Sequence, residues 1–261
     1  MSEIKIKTPD EQELMRQSGQ LLSRVFAMLD AFIEPGVSTM QINERVEEFI
    51  VNELNARPAS KGQYDYPYAL NTSVNEVVCH GMPSDKQLLR EGDIINVDIT
   101  LEKSGYIADS SKMYSIGTVT PIARKLVTTC YEAMWAGIAT VKPGVTFGDV
   151  GNAIQRHTER NGFSVVREYC GHGIGREMHE APQVLHFGRP GSGEVLQEGM
   201  TFTIEPMINQ GNRKTKLKKD GWTVVTKDKK LSAQWEHTIL VTCDGYEVLT
   251  LRDEERSSKI K

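Results

Sequence analysis

No stretch of this chain approaches the ~20 consecutive apolar residues that a membrane-spanning helix needs, so a helical membrane anchor is not expected. The start, Met1-Ser2-Glu3-Ile4-Lys5-Ile6-Lys7, has no apolar core of the kind a secretory signal carries, which points to a cytoplasmic protein. Cysteine is sparse. Cys79, Cys130, Cys170 and Cys243 are widely spaced and form no Cys-x-x-Cys pair, which argues against a zinc ribbon or a dithiol redox motif and leaves free thiols as the expectation. Gly171-x-Gly173-x-Gly175 is rich in glycine, but no Lys-Ser/Thr follows it, so it does not read as a phosphate loop. No Pro/Gly/Ser-rich or charged linker divides the 261 residues near their middle, and one domain spanning 1–261 is expected. With 39% apolar residues and a net charge of −4, the chain has the composition of an ordinary globular protein with a sizeable core.

What the chain does have is a block that occurs twice. Residues 89–98 read L-R-E-G-D-I-I-N-V-D, and residues 196–205 read L-Q-E-G-M-T-F-T-I-E. Leu, Glu and Gly recur at an offset of 107, and each block runs through a β-like stretch to a carboxylate, Asp98 or Glu205. The turn Pro35-Gly36-Val37-Ser38 returns as Pro143-Gly144-Val145-Thr146, between helical patterns both times. Met15, Leu21, Leu22, Val25, Phe26 and Leu29 mark one helix face, and Ile42, Val46, Ile50 and Leu54 the next. Leu126, Tyr131, Met134 and Ile138 precede the second turn, and Val150, Ile154 and Thr158 follow it. Cys79-His80-Gly81 matches Gly171-His172-Gly173. Three matches in the same order imply an internal duplication within one domain, with halves of about 8–120 and 121–251, rather than a solenoid. Thr8-Pro9-Asp10-Glu11 reads as a helix start with a capping box.

Charge is uneven. Residues 213–230 hold eight basic and two acidic side chains around Asp220-Gly221, the pattern of a basic hairpin. It is either a solvated loop or a surface that meets a phosphate backbone without reading sequence.

Four acids stand in or at the ends of strand-like runs. Asp98 closes I-I-N-V-D, Asp109 follows G-Y-I-A, Glu205 closes F-T-I-E, and Glu236 follows Trp235. A hairpin of 92–101 with 105–114 brings Asp98 near Asp109. Glu205 and Glu236 are expected to meet in the same way, and the duplication draws both pairs to one centre. Four clustered carboxylates cannot all stay ionised without compensation. Two divalent cations would supply it. Two metals about 3.5–4 Å apart can hold a bridging water, lower its pKa and polarise a carbonyl. His172, between two glycines, is the candidate imidazole ligand. One imidazole among oxygen donors suits Fe(II), Mn(II) or Co(II), and Zn(II) less distinctively. His80 and His179 are read either as groups that back a metal ligand or as groups that face substrate, where they would hydrogen-bond a scissile amide or a developing oxyanion. His157, His186 and His237 are expected to be structural.

These residues resemble the type I methionine aminopeptidases of the pita-bread metallopeptidase fold. The resemblance runs from Lys7-Thr8-Pro9-Asp10-Glu11 to about Leu251. Its most specific strings are S-V-N-E-V-V-C-H-G-M-P at 73–83, D-S-S-K-M-Y at 109–114, V-V-R-E-Y-C-G-H-G-I-G at 165–175 and L-S-A-Q-W-E-H-T at 231–238. It implies an α+β fold of two pseudo-symmetric halves, a curved antiparallel sheet covered by helices. It implies metal ligands at Asp98, Asp109, His172, Glu205 and Glu236, with Asp109 and Glu236 bridging. It implies substrate-facing histidines at His80 and His179, a proton shuttle at Glu205, and walls of a methionine pocket at Tyr66, Met178 and Trp222. Asn71 and Met178 depart from many bacterial members, which have Cys and Phe there. The implied activity is removal of the initiator methionine from nascent chains with a small second residue; the sequence carries no clear oligomerisation signal, and a monomer is expected. The basic hairpin lies where family members are thought to touch the ribosome. Two alternatives share the fold: a prolidase or aminopeptidase P, which usually carries a large extra N-terminal domain, and a ribosome-associated module that has lost its metals, which would lack ligand positions that this chain keeps.

Overall fold

The computed structural model describes residues 3–257. Helix α1 (Pro9–Asp30) starts on Thr8, whose side chain accepts from Glu11 N while the Glu11 side chain accepts from Thr8 N. Pro9 sits in the first turn, where its missing N–H costs nothing. Met15, Leu22, Val25, Phe26 and Leu29 face inward, as their spacing requires. Helix α2 (Thr39–Glu48) is capped by Ser38 and passes into a π turn, Phe49–Glu53. That widening keeps Ile50 and Leu54 on the buried side with Ile42 and Val46. Five strands follow: β1 (Arg57–Pro58), β2 (Leu70–Val74), β3 (Val77–Cys79), β4 (Ile94–Lys103) and β5 (Tyr106–Ser115). β4 and β5 form a long antiparallel hairpin, while β1 and β2 pair with β4. Its tight turn is Ser104-Gly105, where both residues take positive φ (55° and 80°), as a two-residue hairpin demands. Asp98 and Asp109 lie inside these ten-residue strands, which run slightly later in the chain than the expected 92–101 and 105–114, because the apolar run continues beyond Asp98 through Ile99 and Leu101.

The second half opens with α3 (Pro121–Ile138) and α4 (Phe147–Arg160). Its strands are β6 (Ser164–Val165), β7 (Gly171–Gly173), β8 (Glu180–Val184), β9 (Thr201–Ile204), β10 (Met207–Asn209), β11 (Thr215–Leu217), β12 (Val224–Thr226), β13 (Ser232–Gln234), β14 (His237–Val241) and β15 (Tyr246–Val248). One sheet has the order β15-β14-β9-β7-β8, a second β13-β10-β6, and a third β11-β12-β3. The third joins the basic hairpin to the first half, since Val224 pairs with Cys79. A short helix, α5 (Asp253–Ser257), follows.

Equivalent turns in the two halves make the same hydrogen bonds. Gly36 N donates to Leu89 O at 2.8 Å, and Gly144 N donates to Leu196 O at 3.0 Å. Leu89 N returns to Val37 O, and Leu196 N to Val145 O. Both glycines have positive φ, 95° and 87°, where a side chain would be strained. Each half also has its own apolar core. Leu22, Phe26, Ile42 and Val46 pack on Ile95, Val97 and Ile99 in the first, while Leu126, Met134, Val150 and Ile154 pack against Phe202, Ile204 and Ile208 in the second. Helices therefore cover one side of the strands and leave the acids on the other.

Candidate active site

The acids converge through strand register. Thr100 is directly opposite Asp109 in the β4–β5 ladder, and Asp98 is opposite Ser111, so Asp98 and Asp109 share a face two residues apart. In the second half, His237 pairs with Ile204 and Met207 with Gln234. The same register runs on both sides of a gap, and Glu205 and Glu236 occupy that gap. Pro206 follows Glu205, and the interruption frees both carboxylates from a regular ladder. A single bridge, Ser111 to Glu236, joins the two halves at this point. Carboxylate oxygens of Asp98, Asp109 and Glu236 all lie within 4.8 Å of one another.

His172 completes the group. Its Nε2 is 3.5 Å from Glu205 Oε1 and 3.9 Å from Asp109 Oδ2. The other ring nitrogen, Nδ1, is 3.0 Å from Gly173 O and donates to it, which leaves a lone pair on Nε2 facing the acids. Gly171 and Gly173 let this strand lie close to its neighbours. A Cβ on them would stand 2.4 Å from Thr203 O and 2.1 Å from Ala181 O.

The electrostatics fit a cation site. Burial, with the nearby Asp98 charge adding, pushes Glu205 up to about 8 even though Thr203 donates to it. Burial pushes Asp98 up to about 6 against the hydrogen bond from Asn71. Asp109 and Glu236 are held well above the usual carboxylate range by burial and then by neighbouring carboxylates. Burial and the adjacent His179 hold His172 down at about 3, so its imidazole is neutral, as a ligand's must be. Asp109 Oδ1 is buried with no hydrogen-bond partner. A buried carboxylate oxygen left without a donor is costly, and a divalent cation would satisfy it. One imidazole and four carboxylates make a donor set suited to a hard or borderline cation.

The acids line a cavity of about 1030 Å³. Tyr66, Met178 and Trp222 line it too, with the Tyr66 and Trp222 rings edge to face at 4.8 Å between centroids. His80 and His179 also face this cavity. Burial, then the neighbouring His179, holds His80 down at about 4, and burial lowers His179. The His179 ring stacks on Tyr64 and meets His172 at a centroid distance of 4.4 Å. Cys170 is half-buried along the same wall, and all four cysteines are free.

Several supporting residues carry no signal in the pattern of acids. Thr203 Oγ1 donates to Glu205 Oε1 at 2.8 Å, and its position two residues earlier on the same strand face is the one cue available. Gln234 Nε2 donates to Glu205 Oε2 at 3.3 Å, and Asn71 Nδ2 to Asp98 Oδ2 at 3.4 Å. His186, expected to be merely structural, is buried behind the site, where its Nε2 accepts from Glu205 N at 3.1 Å. Nothing in its local sequence marks that contact. His237 is buried against Glu255, and His157 pairs with Glu132 at 3.0 Å near the surface.

The family model for metallopeptidase family M24 matches residues 13–243. The methionine aminopeptidase of Escherichia coli (strain K12) is 49% identical over 252 residues, covering 97% of this chain and 96% of that protein. The crystal structure of methionine aminopeptidase from Rickettsia prowazekii superposes with a TM-score of 0.93 at 47% identity, covering 95% of this chain and all of that one. The prolidase from Pyrococcus horikoshii shares the fold, with a TM-score of 0.74 at 22% identity, and this chain covers 64% of it. With a pita-bread architecture and a matching family model over most of its length, the chain belongs to the methionine aminopeptidases of metallopeptidase family M24.

Proposed function

We infer that the chain removes N-terminal methionine from proteins and peptides by metal-dependent hydrolysis. The observation that carries this is the convergence of His172 and four acids from both halves at the side of one cavity with aromatic and thioether walls. Asp98, Asp109, His172, Glu205 and Glu236 would hold two divalent cations. When bound, the metals lower the pKa of water and polarise a carbonyl. Fe(II), Mn(II) and Co(II) suit the donor set best, and Zn(II) is tolerated.

The chain's own residues do the rest. Tyr66, Trp222 and Met178 receive the methionine side chain, whose flexible thioether packs well on aromatic rings. His179 and His80, both neutral, donate N–H bonds to the scissile amide and to the oxygen that gains charge as water attacks the first peptide carbonyl. Glu205 takes the water proton and passes it to the leaving amine nitrogen. Asn71 gives the cavity a polar point beside Asp98 that a cysteine would not.

The unit acts as one catalytic domain of two halves, as a monomer in the cytoplasm. Among the described residues no helix is long and apolar enough to cross a membrane. Its substrates are nascent chains with a small second residue. The eight basic side chains of 213–230 are all exposed, and the hairpin tip is ordered by the Lys218 N to Thr223 O bond. This hairpin supplies a phosphate-binding surface for ribosome contact beside Trp222.

The test is release of methionine from Met-Ala and Met-Leu peptides, with the metal removed by a chelator and then restored as Mn(II) or Co(II). Metal-dependent release from Met-Ala, with Met-Leu poorly cleaved, is expected. No release from Met-Ala under any metal would overturn the reading.

A further inference from the structure

Asp109 and Glu236 come from different halves, yet almost no regular ladder joins the strands that carry them. The seam between β5 and the start of β14 is held by side chains. Asp109 N donates to Thr238 Oγ1 at 3.1 Å, and that hydroxyl donates to Asp109 O at 2.7 Å. Ser110 Oγ donates to Glu236 O at 2.7 Å. Glu236 N donates to Ser111 O at 3.3 Å.

Behind this seam lies Arg252, a charged side chain only 1% exposed. Its Nη1 donates to Ser110 Oγ and to Ser111 O, both at 3.2 Å. Its Nη2 donates to Glu255 Oε1 at 2.9 Å and lies 3.1 Å from His237 Nε2. The guanidinium also stands over Phe26 of the first half, at 5.4 Å, and Trp235 of the second, at 5.2 Å. Glu255 serves as the counter-ion. Burial pushes its carboxyl up, but His237 and Arg252 outweigh that and hold it far below its usual range. One end of the guanidinium fork therefore grips the Ser110–Ser111 backbone step, and the other is anchored by α5.

A buried arginine with such partners is expensive to desolvate and contributes little net stability over an apolar residue of the same shape. Its value lies in geometry, because the planar fork fixes several directions at once. We propose that Arg252 is a positioning residue for the metal centre: through Ser110 and Ser111 it sets the separation of the backbone segments that bear Asp109 and Glu236. Arg252 hydrogen-bonds Ser110, Ser111 and Glu255 rather than either carboxylate; its charge also favours the ionised form of Glu236, a contribution that Arg252→Lys retains while the planar fork is lost. The proposal rests on the ligand assignment above.

The test uses the full chain, stripped with a chelator, and reads Mn(II) affinity by calorimetry together with the melting temperature. Arg252→Met and Arg252→Lys are each expected to weaken Mn(II) binding about 10–100-fold at temperatures where the protein is folded. Ser110→Ala is expected to weaken it several-fold with a small change in melting. Glu255→Gln leaves the contacts to Ser110 and Ser111 in place, so it is expected to melt earlier but to bind Mn(II) within about twofold of the unchanged chain. Folded Arg252→Lys or Ser110→Ala proteins that bind Mn(II) like the unchanged chain would overturn the proposal. So would Glu255→Gln weakening binding as much as Arg252→Met, since loss of stability alone would then explain both. Asp109→Asn serves as the control: if it binds Mn(II) normally, the ligand assignment fails rather than the role of Arg252.

Discussion

His80 and His172 occupy matching places in the two halves and take up different positions in the site. His172 is the middle residue of β7, fixed by neighbours on both sides, with its Nε2 3.5 Å from Glu205. His80 follows the short strand β3 with a φ of 54°, a conformation uncommon for a residue with a side chain. It faces Tyr169 edge to face at 5.7 Å. A residue inside a sheet has little freedom of direction, which suits a metal ligand. A residue in a loop held at positive φ is aimed by its surroundings, which suits a group that meets substrate. The two halves have matching scaffold turns and differ at the two histidines, where the backbone context differs.

The largest effect should separate that pair. His172→Ala is expected to lower both Mn(II) affinity and kcat/KM, the latter by about 10³-fold or more. His80→Ala should keep metal affinity and lose about 10²-fold in kcat/KM. Calorimetry beside a Met-Ala assay decides it. Equal loss of metal from both variants would break the comparison.

A second test concerns charge at the junction of the halves. Glu205 has its folded-state pKa raised to about 8 from an ordinary value of 4.5. A raised carboxylate means that the folded state holds the proton more tightly, so its contribution to stability is present below about 4.5 and is lost as pH rises through about 8. The metal-stripped protein should therefore melt progressively earlier as the pH rises from about 5 to about 8. Saturating Mn(II) should flatten that slope. A melting temperature of the stripped protein that does not fall over this range would contradict the buried-acid account.

Smaller effects test the likeness of the halves. Gly36 and Gly144 have matching φ and nothing within 4 Å of a built Cβ, so alanine at either meets only backbone strain. Each substitution is expected to cost about 1–2 kcal/mol, with the two costs alike, by denaturant titration. A clear inequality would show that the two turns are not equivalent. The smallest change should come from Asn71→Ala, which removes one 3.4 Å hydrogen bond to Asp98. Mn(II) affinity should drop by about 1 kcal/mol or less, and an unchanged affinity would show that Asn71 serves the pocket alone.

The helices, their caps and the β4–β5 hairpin were legible in the chain because they depend on local spacing and turn chemistry: Thr8 with Glu11, Ser104 with Gly105, and the inward face of α1. The candidate acids were legible too, since Asp98 and Glu205 close runs that repeat and Asp109 and Glu236 follow apolar residues in strand-like segments. The exact ends of the strands were not, since 92–101 and 105–114 are expected and the strands run Ile94–Lys103 and Tyr106–Ser115. The role of His186 has no sequence signal, because its contact is with a backbone N–H nineteen residues away. Arg252 gave no signal, since a lone arginine near the end of a chain reads as surface.

Periodicity and repeated motifs are written in one dimension, so the two halves and the kinds of residue brought to the centre could be read from the chain, while the family was legible only through the resemblance of strings such as 73–83 and 165–175. Tertiary structure alone decided how those residues meet. The gap that frees Glu205 and Glu236, the lone pair of His172 turned toward them and the seam backed by Arg252 each depend on backbones that approach from distant parts of the chain, and in a low-dielectric interior such placements set both charge and ligand geometry.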